Sequence, residues 1–386
     1  MLGRIAAIIG LSLSFALHAL PNAELLANLK GRFHPLPQGG QLIKSFTHHS
    51  QSYIYDQALA IIAFTNEKDQ KSASDLLLAL KSLQKNDGSL YFSYYLDGQS
   101  PYPKEGGDKR YAGAIAWVAL AATHYQHKFH SQDYVSFNRS ILHYLKTQMG
   151  PLTIQNTSHR ALRFSPSDIP GTKWNEHETA ALEHNLDAYA AFLHFSNLNK
   201  KPEWSEEITQ LKSFIMAMWD SSRSHFWSGA DMKIGGINKS ELYLDNQSWS
   251  LLALDKKTLR ELKSHDALEM NCELFFVEHE GVKGFMDSKP VSRPALSKFV
   301  WSEGSAGQIL AIERVNKLND RKIACQDTST ADFMHSMKKM KKSDGGIGYA
   351  TASTNPDFTT SSSVAGTAWY YFAANGFNPF HPTDAE

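Results

Sequence analysis

Two kinds of apolar pattern alternate along the chain. The first is small and apolar nearly all round. It appears as VALAA after Ala114-Ile115-Ala116-Trp117, as SLLAL after Asn246-Gln247-Ser248-Trp249 and as YYFAA after Gly366-Thr367-Ala368-Trp369. Three further segments share the pattern with another residue in the Trp slot: Asp56-Gln57-Ala58-Leu59, Leu186-Asp187-Ala188-Tyr189 and Ser305-Ala306-Gly307-Gln308. The six slots fall at 59, 117, 189, 249, 308 and 369, about 60 residues apart. The second pattern lies between them, in residues 70–84, 132–147 and 203–219, with apolar residues three and four apart and charges between. That period is the mark of an amphipathic helix.

A helix apolar on every side is buried on every side, and an amphipathic one lies outside with one wet face. Alternating inner and outer helices therefore predict a double ring, and a stop at six repeats favours a closed ring over an open solenoid. The expected fold is an all-α (α/α)6 toroid over residues 20–386, with short β-hairpin-like loops. Residues 22–31 are the candidate for the sixth outer helix. Turn signals at Asn86-Asp87-Gly88-Ser89 and Ser343-Asp344-Gly345-Gly346 flank short strand candidates. The long gap at 150–174 reads as a lid or wall.

Composition narrows the function classes. Lys plus Arg equals Asp plus Glu at 39 each, so the formal charge is zero, which argues against nucleic acid as a partner. Residues 1–19 read as a signal peptide: Arg4, an apolar run over 5–16, then Leu17-His18-Ala19. That run is shorter than a bilayer span. The expectation is an exported protein, periplasmic or extracellular. Cys272 and Cys325 either pair there or stay as buried thiols.

Polar residues gather where the inner helices begin. If the inner helices are parallel, their N-termini share one mouth, and Asp56, Glu183, Asp187, Asp245 and Glu303 converge on it. The competing reading is that these acids cap their helices. Glu183 and Asp187 are four apart and so share a helix face. Converging carboxylates beside aromatic residues fit glycosidic-bond chemistry, in which one protonated acid serves the leaving oxygen and one carboxylate activates water or attacks the sugar. The candidate catalytic set is Asp56, Glu183, Asp187 and Glu303. Tyr55, Tyr111, Trp174, Tyr243 and Trp301 are candidate stacking platforms, and His184, Asn185, Asp245 and Gln247 would position hydroxyls. No nucleophile elbow, phosphate loop or HExxH motif is present. His177 and His184, seven apart and each beside an acid, could hold a metal, but this reading ranks below glycosidic-bond chemistry, and no metal or cofactor is demanded.

The segments at 53–60, 183–189, 244–249, 300–304 and 369–380 resemble the six-hairpin (α/α)6 superfamily of carbohydrate-active proteins. The resemblance implies a sugar-binding cleft at the inner-helix mouth and hydrolysis of an oligo- or polysaccharide. The same architecture also hosts non-catalytic binders, polysaccharide lyases and sugar epimerases. A lyase would need a base and cations for uronate carboxylates, for which Arg110, Tyr111 and His184 are the candidates.

Overall fold

The computed structural model describes residues 20–382, apart from 105, 167–175, 293–294, 296–297, 320–321 and 355–357. The proposed signal peptide and Trp174 therefore lie outside the described residues. In chain order the first helices are α1 (Asn22–Lys30), α2 (Ile54–Asn66), α3 (Gln70–Leu83), α4 (Ala112–Phe129), α5 (Val135–Thr147) and α6 (Leu182–Asn199). They are followed by α7 (Ser205–Ala217), α8 (Leu244–Ala253), the short α9 (Lys256–Glu261), α10 (Ser264–Phe275), α11 (Ser302–Asn319), α12 (Thr330–Met337) and α13 (Val364–Ala374). None of the described helices is long and apolar enough to cross a membrane.

Helices α2, α4, α6, α8, α11 and α13 form the inner ring. Each packs on the next, and α13 packs back on α2, so the ring is closed. Most of their residues are buried, with apolar side chains on all faces. Helices α3, α5, α7, α10 and α12 lie outside, and α1 completes the outer ring by packing on α13 and α2. The outer helices carry the expected one-sided burial, as in α3, where Ala73, Leu76, Leu77 and Leu80 face in. Two-stranded antiparallel ribbons decorate the connections, among them Gln51–Tyr53 with Ser93–Tyr95, Met149–Ile154 with Thr157–Leu162, and Thr179–Ala181 with Gly229–Asp231.

Aligned on their first residues, the inner helices show a layered design. The fourth residue clamps an adjoining loop or strand in five of the six. Asn185 accepts from Leu162 N (2.8 Å) and donates to Leu162 O (3.1 Å). Gln247 does the same to Phe226, at 2.8 Å each way. Gln57 donates to Ile43 O (3.0 Å), Ser305 accepts from Phe285 N (2.8 Å), and Thr367 accepts from Ile347 N (3.0 Å). Asn185 and Gln247 are thus occupied with backbone, which corrects their expected role in holding sugar hydroxyls.

The sixth residues form an axial layer of Leu59, Trp117, Asp187, Trp249, Gly307 and Trp369. Trp249 stacks on Trp369 at 5.7 Å, and Trp117 meets both edge-on at 5.6 and 6.0 Å. A Cβ on Gly307 would stand 3.5 Å from Trp249 and 3.6 Å from Trp369, at ordinary van der Waals distance, so Gly307 lies against the stack. The repeat is therefore shifted from the sequence alignment at two positions: Asp187, not Tyr189, and Gly307, not Gln308, are the counterparts of the tryptophans. Below this layer Phe380 packs on Trp117 (4.9 Å) and Trp249 (5.6 Å) and closes the C-terminal end of the ring. Cys272 on α10 is disulfide-bonded to Cys325, five residues before α12, with Cα atoms 5.1 Å apart.

Candidate active site

The mouth is built from the second residue of each inner helix, one turn above the axial layer. Around the ring these are Tyr55, Gly113, Glu183, Asp245, Glu303 and Ala365. Three consecutive helices carry carboxylates, α2 carries a phenol, and α4 and α13 carry residues too small to fill the space. Glu183, Asp245, Glu303 and Asp56 lie inside their first helical turns rather than at the N-cap, so none caps its own helix, although Asp56 accepts from the first-turn N–H of Ala365 on α13.

A cavity of about 910 Å³ opens over α2, α4, α6 and α8. Its wall includes Tyr55, Gly113, Trp117, Glu183, His184, Asp187, Asn246 and Trp249, with Phe92, Tyr111, Phe164 and Tyr243 higher up. The loop over residues 228–238 forms one side, with Asp231 and Asn238 among its contributions. Trp117 and Trp249 thus serve twice, packing the axis and lining the cavity. Gly113 is required here: a Cβ would lie 2.3 Å from His184 Cδ2 and 2.8 Å from Asp187 Oδ2.

Burial raises every carboxylate of this group. Glu183 is lifted well above the ordinary carboxylate range by desolvation, then by the charge of Asp245 and its hydrogen bond to Asp245. The same bond lowers Asp245, whose net shift is upward through burial. Burial and mutual charge thus favour a single proton shared between the two carboxyls. Glu183 still exposes 30 % of its side chain. Asp187 is also raised well above its usual range by burial and by Asp245, while the indole N–H of Trp117 opposes the shift. His184 stacks on Phe164 at 4.2 Å and lies 3.4 Å from Glu183. Burial lowers it to about 3, so the imidazole is neutral at physiological pH.

The structure brings Tyr55, Tyr111, Glu183, His184 and Asp187 onto the cavity wall. Asp245 and Glu303 sit behind it. Tyr55 donates to Glu303 and accepts from Trp369 Nε1 (2.8 Å). Burial lifts Glu303 to about 8. Glu303 is therefore reached through the phenol of Tyr55, a correction to its expected direct catalytic role. Asp56 is turned away as well. It is buried against Ser45, the backbone of Ala365 and the charge of Arg32, and burial lifts it to about 7. Its position makes it a structural acid, which again departs from the expectation. Trp301 packs on Tyr349 (6.4 Å) and Phe358 (6.2 Å) and is not part of the wall. Arg110 is paired with Asp87 at 2.9 Å and does not line the cavity. The one group of described residues close enough to share an ion is His265, Asp266 and Glu269, which includes neither His177 nor His184.

Sequence reasoning missed Gly113, Asn246 and the 228–238 loop. The signal for Gly113 was available: it is the α4 counterpart of Glu183 once the helices are aligned on their first residues.

No family model matches the sequence, and no curated protein matches it. Comparison with solved structures is informative about the fold. The chain is similar to cellobiose 2-epimerase from Spirochaeta thermophila, with a TM-score of 0.69 and 13% identity over 92% of this chain and 95% of that one. It is similar to an α-mannanase of glycoside hydrolase family 76 from Bacteroides thetaiotaomicron, with a TM-score of 0.63 and 11% identity over 92% and 94%. It is also similar to an endo-β-1,4-glucanase from Acetobacter xylinum, with a TM-score of 0.57 and 11% identity over 92% and 97%. The chain has the six-hairpin (α/α)6 toroid fold that these enzymes share.

Proposed function

We propose that the protein is a glycoside hydrolase acting on an oligo- or polysaccharide, with Glu183 as the proton donor and Asp187, in the molecules where it is ionised, as the carboxylate that activates water or attacks the sugar. The observation that carries this reading is the pairing of Glu183 and Asp187 one helical turn apart on the wall of an aromatic-lined cavity, with the charge of Asp245 beside them raising both. A proton held on a carboxyl near neutral pH is what a leaving glycosidic oxygen needs. The partly exposed rings of Tyr55, Tyr111 and Tyr243 on the wall offer faces on which a sugar ring can stack. Enzymes acting on glycans among the fold's neighbours support the substrate type.

Some neighbours are sugar epimerases, and His184 beside Glu183 is the group that would serve such a reaction. One experiment separates the readings. The chain is incubated with an oligosaccharide panel and products are followed by mass. Gain of one water means hydrolysis, unchanged mass with altered stereochemistry means epimerisation, and an unsaturated fragment means elimination. E183Q and D187N should each abolish water gain while the melting temperature stays within a few degrees. Turnover that survives both substitutions refutes the assignment.

Export belongs to the same proposal. Arg4 and the apolar run after it suggest a leader, and the Cys272–Cys325 disulfide suits an oxidising compartment. Fractionation of cells expressing the full chain tests this, and retention of the protein in the cytoplasm with reduced thiols overturns it.

A further inference from the structure

The wall of the cavity is unusual in what it lacks. None of the described residues lining it is Lys or Arg. Three are acids, Glu183, Asp187 and Asp231, and Asp245 and Glu303 lie directly behind. Cations next to lining residues in the chain are engaged elsewhere: Lys109 lies over the Tyr111 ring at 5.8 Å, Arg110 pairs with Asp87 at 2.9 Å, Lys233 pairs with Glu178 at 3.7 Å, and Lys239 lies over the Trp227 ring at 5.3 Å. The polar atoms add to the bias. Asn246 is 2 % exposed and its Oδ1 has no hydrogen-bond partner, and Asp187, also 2 % exposed, keeps Oδ1 without one that meets hydrogen-bond geometry. The wall is thus rich in acceptors and poor in cationic donors.

From this wall we infer that the cavity takes saccharides bearing hydroxyl groups and no acidic substituent, and that it rejects uronates and sulfated or phosphorylated sugars. The inference rests on the hydrolase reading above and narrows its substrate class. The chemistry is one of matching. A neutral sugar ring supplies O–H donors to the acceptors of the wall and to Asn246, and presents its C–H face to the partly exposed rings of Tyr55, Tyr111 and Tyr243. A uronate carboxylate or a sulfate brings acceptors only, into a low-dielectric pocket with no cation to pair it. Six inner-helix N-termini converge on the mouth, and their positive ends would favour an anion. The charge of Asp245, which acts on Glu183 and Asp187 from the first turn of α8, already occupies that field.

The test compares neutral gluco-, manno-, xylo- and galacto-oligosaccharides of two to four units with uronate oligosaccharides of the same lengths, by calorimetry at pH 7. At least one neutral series should bind, and every uronate series at least tenfold more weakly. In D187N, which removes the wall acid that ionises in the reading above, the gap should narrow to less than threefold, whereas E183Q, whose parent carboxyl that reading keeps protonated, should leave it unchanged. Uronate binding equal to or tighter than neutral binding overturns the inference while leaving a saccharide site in place. An unchanged gap in D187N overturns its electrostatic cause. Binding of neither class sinks the hydrolase reading itself, and this inference with it.

Discussion

Substituting Gly113 by alanine tests the site's geometry with a single methyl group. The added Cβ would stand 2.3 Å from His184 Cδ2 and 2.8 Å from Asp187 Oδ2. Carbon atoms sit comfortably at about 3.5 Å or more, so the imidazole must withdraw by about 1 Å. It is already stacked on Phe164 at 4.2 Å, so withdrawal disturbs a second wall residue. A displacement of about 1 Å in a catalytic constellation costs roughly 10²-fold in rate. The stability ledger is much flatter. Alanine in place of helical glycine contributes about 1 kcal/mol, and overpacking costs about 1–3 kcal/mol. The net loss is then within about 2 kcal/mol, or a melting temperature within about 4–5 °C of the parent. The assay is hydrolysis of whichever panel oligosaccharide is cleaved, read beside thermal unfolding. Parental turnover in a folded G113A protein would show that neither His184 nor Asp187 needs its observed position. A fall of more than about 10 °C would show that the contact is chiefly structural.

Three further outcomes follow from separate parts of the molecule. The Cys272–Cys325 bridge closes a loop with a sequence separation of 53, for which chain entropy gives about 4 kcal/mol. C272S should therefore melt several degrees lower than the parent, and reducing agent should lower the parent's melting point but leave the variant unmoved. Burial lifts Asp56 to about 7 and Glu303 to about 8, above their values near 4 in an unfolded chain. The folded state then holds more protons than the unfolded one between these values, so stability should fall as pH rises from about 4 to 8. E303Q should flatten that decline, and an equally steep profile would contradict the assignment. Asp245 raises both Glu183 and Asp187 by its charge. In D245N both should titrate lower, so the bell-shaped pH–rate profile should move as a unit to lower pH, and a loss of rate without any displacement would mean that Asp245 acts only on structure.

The ring was legible because its inner helices must be apolar on all sides, a demand that repeats about every 60 residues whatever the loops do. The site was legible only as a neighbourhood. Parallel inner helices put every first turn at one mouth, so Glu183, Asp245 and Glu303 share a layer. Which of them faces the cavity depends on rotation about each helix axis, at roughly 100° per residue. A step of one residue therefore separates Tyr55 on the wall from Asp56 against Ser45 and Arg32. A step of two separates Glu183 from Asn185, which clamps Leu162. The misplaced third and fifth slots have a related cause. The alignment sought an aromatic or bulky residue, and the structure puts an acid and a glycine there. The 228–238 loop has no helical period to betray it, and only its pairing at Gly229–Asp231 with Thr179–Ala181 brings it over the cavity.

Asp187 is the residue that best separates folding from function. It occupies the layer that elsewhere holds Leu59, Trp117, Trp249 and Trp369, packed at the centre of the ring. An acid at such a position is desolvated, raised far above its usual range, and opposed only by the Trp117 N–H. Replacing a buried polar group by an apolar residue of similar size is often neutral or stabilising by about 1–4 kcal/mol, and Leu59 shows that leucine suits this layer. D187L should therefore melt at least as high as the parent, by roughly 2–8 °C at about 2 °C per kcal/mol, and release no product from the cleaved oligosaccharide. Stability gained as activity vanishes is the signature of a residue held against the interest of packing. A D187L protein that unfolds several degrees below the parent would instead make Asp187 part of the scaffold, and the catalytic role would have to pass to another group on the wall.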